Sequence, residues 1–184
     1  MIDNDFTIFL DTLVTREKMV NASRRYLGLE YSMRGTFIKE MPDGSVKGKT
    51  DCLRLLLLTA RDVGFLPPDY DVMVRRPRTQ HRKPPSADET MWRMLEANCD
   101  SITYEESGPG DIFLIRDSDI DPSLESVHHV AMKTSNDPFP FGTMIHAINR
   151  DKNGKGGVEE VRVDALKRNR IEGIYHIRGI IDSL

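Results

Sequence analysis

The apolar positions of this chain change period near residue 110. Ahead of that point they recur as in helices. Over residues 14–28, Met19, Ala22, Tyr26 and Leu27 fall near helical spacing, and Gly28 is a natural stop. A second helix is expected from the run Cys52-Leu53-Arg54-Leu55-Leu56-Leu57-Leu58, capped by Thr50 or Asp51 and closed near Gly64, ahead of Pro67-Pro68. Ala87 to Ala97 reads as a short amphipathic helix carrying Trp92, a core or rim aromatic. The polar stretch between the first two helices contains the turn signal Pro42-Asp43-Gly44-Ser45 and reads as a loop or hairpin. Residues 74–87 combine prolines with a basic cluster (Arg75, Arg76, Arg78, His81, Arg82, Lys83), and are expected to form an exposed connection.

Beyond residue 110 the apolar runs are short and partly β-branched. They are Asp111–Arg116, His129–Met132, Met144–Ile148, Val158–Val163 and the tail Gly173–Ile180. Such runs, separated by turn-rich connections, predict an antiparallel sheet of about five strands. Helices followed by strands give an α+β architecture and not a doubly wound one.

With 184 residues the chain is read as one domain spanning 1–184, long enough to bury a sizeable core. Its net charge of −3 comes from charges of mixed sign, which gives no bulk attraction to nucleic acid or to an anionic membrane. No apolar stretch approaches the length of a membrane span, so no membrane insertion is expected. The start, Met-Ile-Asp-Asn-Asp-Phe, lacks the basic residues and apolar core of a secretory signal, so cytoplasmic synthesis without one is expected. The two cysteines, Cys52 and Cys99, have no spacing that suggests a disulfide framework or a zinc cluster.

Chemistry concentrates at Cys52. In the first turn of a helix, free backbone N–H groups and the helix dipole favour a thiolate, so a depressed pKa is expected there and not at Cys99. A cysteine nucleophile needs a base, and the base needs a group to orient it. His129 and His146 lie in two predicted strands and can share one side of a sheet, one as base and one as its partner. His128 alternates to the other face and is the weaker candidate. Cys99 reads as structural and Asp111 as the end of a turn. A zinc site from Cys52, His129 and His146 lacks a fourth close ligand, so neither metal nor other cofactor is expected.

These segments together resemble the NlpC family of cell-wall cysteine peptidases. The residues that carry the resemblance are the helix ending Tyr26-Leu27-Gly28, Tyr31, Asp51-Cys52, Pro109-Gly110-Asp111-Ile112, His129-Val130-Ala131-Met132 and Met144-Ile145-His146-Ala147. Gly64-Phe65-Leu66-Pro67-Pro68-Asp69-Tyr70 is similar to the phage tail-associated branch. The resemblance implies a papain-like α+β fold and cleavage of peptidoglycan stem peptides. It assigns Cys52 as nucleophile, His129 as base, His146 as the orienting residue, and Tyr31 as a hydroxyl beside the nucleophile. The family's small residues after the cysteine are replaced by Leu53 and Arg54, and Arg54 is a candidate partner for a substrate carboxylate. The segment between Gly35 and Asp51 is also longer than the family's common form. Expected partners are the peptidoglycan peptide and phage tail proteins, with the virion as a possible location. The alternatives are a tail or assembly structural protein that keeps the fold, and a thioester-forming acyltransferase or amidase.

Overall fold

A computed structural model describes residues 9–32, 37–70, 87–116, 128–138, 141–149, 156–163 and 170–182. The elements in chain order are β1 (Val14–Thr15), α1 (Arg16–Arg24), β2 (Glu30–Tyr31), β3 (Phe37–Glu40), β4 (Val46–Thr50), α2 (Cys52–Val63), α3 (Ala87–Asn98), β5 (Cys99–Ser101), β6 (Ile112–Arg116), β7 (His128–Lys133), β8 (Thr143–Asn149), β9 (Gly156–Arg162), β10 (Ile171–Ile177) and β11 (Ile180–Ile181). The architecture is mixed α+β. The expected connection over residues 74–87 falls almost wholly outside the described residues.

Helix α2 explains its own leucine run. Asp51 is extended and its side chain accepts the Arg54 N–H at 2.9 Å, which starts the helix immediately at Cys52. Leu55, Leu56, Leu57 and Leu58 are all buried. Four consecutive leucines point to more than one side of a helix, so α2 must be covered on more than one side; α1 packs against it, as do β7 and β8 of the sheet. Gly64 ends the helix at φ 93°, a left-handed cap that a side chain would strain. Among the described residues, no helix is long and apolar enough to cross a membrane.

The first helix is shorter than its apolar pattern suggests. Val14 and Thr15 are not helical; they pair in parallel with Ile180 and Ile181. Thr15 is instead the N-cap, accepting the Lys18 N–H at 3.2 Å, and the helix stops at Arg24. Tyr26 is still buried, carried inward by the turn that follows.

Among the described residues the main sheet has nine strands in the order β3-β4-β2-β9-β8-β7-β6-β10-β5. The five runs read from the sequence are its central block, β6 to β10. The expectation of about five antiparallel strands is therefore corrected in two respects. Four short strands extend the sheet, and β2 runs parallel to β4, with Tyr31 opposite Thr50. These additions carry little apolar pattern because β3 and β4 lie on an exposed flank, where backbone pairing holds them. One sheet face, with Ile112, Leu114, Val130, Met132 and Ile145, joins the helices in the larger core. The other, with Phe113, Ile115, Ala131, Met144 and Ile174, forms a smaller second core. Trp92 belongs to neither and is exposed.

Candidate active site

The site begins where a ladder stops. Strands β6 and β7 pair along their length, from Ile112–Met132 to Arg116–His128. The described pairing of β7 with β8 consists of Met132–Ile145 and Lys133–Met144. Ahead of Met132 these two strands part, and in the opening their histidines meet. His129 Nε2 lies 3.0 Å from His146 Nδ1, with the rings edge-on at 67°. His146 Nε2 lies 3.3 Å from Oε1 of Glu159, the residue directly opposite it on β9. Both histidines are buried, at 8% and 4% exposure, while the Glu159 side chain is 28% exposed.

Cys52 approaches the start of β7 from the helix side. The backbone N–H of Val130, the residue after His129, faces its sulfur, as do those of Leu53 and Cys52 itself. Leu55, Leu56, Val130 and Met132 also line a cavity of about 10 Å³ beside it, room for about one water molecule. Among the described residues, no hydrogen bond joins the thiol to a ring nitrogen of His129.

Electrostatics reverse one expectation. Burial pushes the Cys52 thiol up to about 12, and the neighbouring Asp51 carboxylate adds to the rise. The three backbone N–H groups pull the other way, yet burial prevails. The direction is opposite to the depressed pKa expected from the helix start: Cys52 as a whole is half-buried, but burial weighs more on its sulfur than the N–H groups around it do. Cys99, buried in β5 as a free cysteine, is raised to about 12 as well, again chiefly by burial. His129 is held down at about 3 by burial first and by His146 second. The resting pair is therefore a neutral thiol and a neutral imidazole.

The other candidates fall as follows. Tyr31 is half-buried in β2 and packs against the core that Cys52 also touches. Its register with Thr50 brings it to the strand end that leads into the Asp51 cap. Arg54 sits in the first turn of α2, beside its Asp51 cap. Its side chain is 6% exposed and ion-paired with Asp51, because the capping geometry folds it back over the helix start. The side chain of His128 lies outside the described residues.

Sequence reasoning missed Glu159. It lies in a run recognised as a strand, but only the register of β8 against β9 shows which residue faces His146. It also understated Asp111, which sits in a turn yet is fully buried. Asp111 accepts from Arg16 (3.1 Å) and the Gly108 N–H (2.7 Å), and its second oxygen lies 2.7 Å from His176 Nδ1. This knot ties α1, the turn before β6 and strand β10 together. Among the described residues it makes no hydrogen bond with Cys52, and it is read as structural. Among the described residues, no group of three His, Cys, Asp or Glu side chains is arranged to hold a metal ion.

No protein-family model matches the chain, and no curated protein matches it. Among solved structures, a Staphylococcus aureus protein described as similar to a lipoprotein of the NLP/P60 family is alike over 88% of this chain, with a TM-score of 0.47 and 15% identity. The matched region is 41% of that protein, so this chain spans about two fifths of its length.

Proposed function

We propose that the chain is a cysteine hydrolase that cleaves amide bonds, with peptidoglycan stem peptides as its substrates. The observation that carries this reading is the pair of buried histidines, His129 and His146, backed by Glu159, on a strand whose Val130 N–H faces a cysteine that opens a helix. Packing alone does not call for two adjoining buried imidazoles, since each has polar nitrogens that must be satisfied away from water. A nucleophile, a base and an orienting group do call for them.

The neutral resting pair defines the first step. As Cys52 Sγ bonds to the scissile carbonyl carbon, its proton passes to His129 and the carbonyl π electrons move to oxygen. Backbone N–H groups near the sulfur are the available donors to that developing charge. Collapse of the intermediate breaks the C–N bond, and the amine leaves with the proton from His129. Water then attacks the thioester, giving one proton to His129 and releasing the carboxylic acid as the thiol is restored. No preformed thiolate is required; proton transfer accompanies attack. Tyr31, at the strand end leading to the cap, supplies a hydroxyl for a substrate carbonyl.

The stem-peptide substrate and a phage tail setting, with tail proteins as partners, are supported by the motif order and by the Gly64–Tyr70 segment after α2. Incubation with purified peptidoglycan, followed by mass spectrometry of soluble fragments, tests the activity. New amino and carboxyl termini should appear with the wild type and be absent with Cys52→Ala. Equal release by both proteins would refute the reading.

A further inference from the structure

Glu159 makes the histidine line directional. An ionised carboxylate only accepts hydrogen bonds, so the nitrogen of His146 that faces it, Nε2, must carry the proton. When His146 is neutral it has one N–H, so its Nδ1 is left as an acceptor. The group 3.0 Å away, His129 Nε2, must then be the donor. That places the one N–H of neutral His129 toward His146 and leaves His129 Nδ1 as a bare lone pair. The reverse arrangement puts a proton on His129 Nδ1 and turns the His146 Nε2 lone pair against an anion. In that state His129 has no free base nitrogen apart from the one bonded to His146.

We propose that Glu159 is a positioning residue that sets the tautomers of His146 and, through it, of His129, so that Nδ1 of His129 is the nitrogen that takes the Cys52 proton. The proposal rests on the hydrolase reading for its consequence, but its physical content is two tautomers that exist without substrate. Glu160, the next residue, is engaged elsewhere: it forms a bidentate pair with Arg24 at 2.7 and 3.0 Å. It therefore serves as the control for adding a neutral side chain to the same strand.

The experiment is long-range ¹H–¹⁵N correlation spectroscopy of the intact, histidine-labelled protein near neutral pH. In the wild type both His129 and His146 should show the Nε2–H form. Glu159→Gln offers an amide that can donate or accept, so His146 should show a mixture containing the Nδ1–H form, while Glu160→Gln leaves both rings unchanged. On a stem-peptide substrate, Glu159→Gln should lower kcat by about 10²-fold with little change in KM, a fraction of the about 10⁴-fold loss when a histidine base is held in the wrong tautomer. An Nδ1–H form on either ring of the wild type overturns the proposal, and that spectrum decides it even if the variant does not fold. Unchanged tautomers in a folded Glu159→Gln also overturn it. The expected spectra in a protein that cleaves no stem peptide would sink the hydrolase reading while supporting the tautomer assignment.

Discussion

Lowering the pH from about 7.5 to about 5 tests whether His129 is folded away as a neutral ring. The ring is 8% exposed, and its pKa falls from 6.5 to about 3, mainly through burial. In the unfolded chain the imidazole takes up a proton as the pH drops below 6.5; in the folded protein it does not until about 3. The unfolded state therefore binds more protons across this window, and stability falls as pH falls. The sign is opposite to that of a histidine whose pKa is raised by an acidic partner. At pH 5 the ring is about 1.5 units below its unfolded pKa; at about 1.4 kcal/mol per unit, the lost stability is about 2 kcal/mol. The carboxylates with lowered pKa, such as Glu160 and Asp43, lose their contributions only at lower pH, so they do not obscure the window. Urea unfolding of the wild type and His129→Gln at the two pH values provides the measurement. The variant should be less stable at pH 7.5, but its loss on going to pH 5 should be smaller than the wild type's by about 2 kcal/mol. Equal losses in the two proteins would show that His129 titrates alike folded and unfolded, and would refute the buried neutral pair.

Alkylation of native Cys52 should be slow at neutral pH and keep rising through pH 9, because the thiol sits at about 12; a plateau below pH 8 would refute its enclosure. Asp111→Ala should destabilise the fold by about 3 kcal/mol in urea, since it removes the buried one of Arg16's two carboxylate partners, leaving the exposed Asp182, and frees His176 and the Gly108 N–H. A loss below about 1 kcal/mol would show the knot to be dispensable. Gly64→Ala should cost about 1 kcal/mol purely through its left-handed φ of 93°, because nothing lies within 4 Å of the added methyl. An unchanged urea midpoint there would mean that the helix end relaxes freely.

Local chemistry along the chain was enough to locate α2, its Asp51 cap and its Gly64 stop, because capping and left-handed glycine act within a few residues. The same held for the five central strands, whose apolar runs report burial directly. It did not extend to the short flanking strands, whose residues alternate weakly, nor to Val14–Thr15, whose partner lies at the far end of the chain. The residue types at positions 52, 129 and 146 were legible as candidates. Their states were not, because the helix-start location favours a thiolate while the enclosure that defeats it comes from β7 and the second turn of α2. Arg54 likewise looked available until the fold turned it onto Asp51. Glu159 was invisible as a site residue, since its place opposite His146 is a matter of strand register. Register and burial are non-local: they follow from which strands pair and what covers them, and only the tertiary structure decides that.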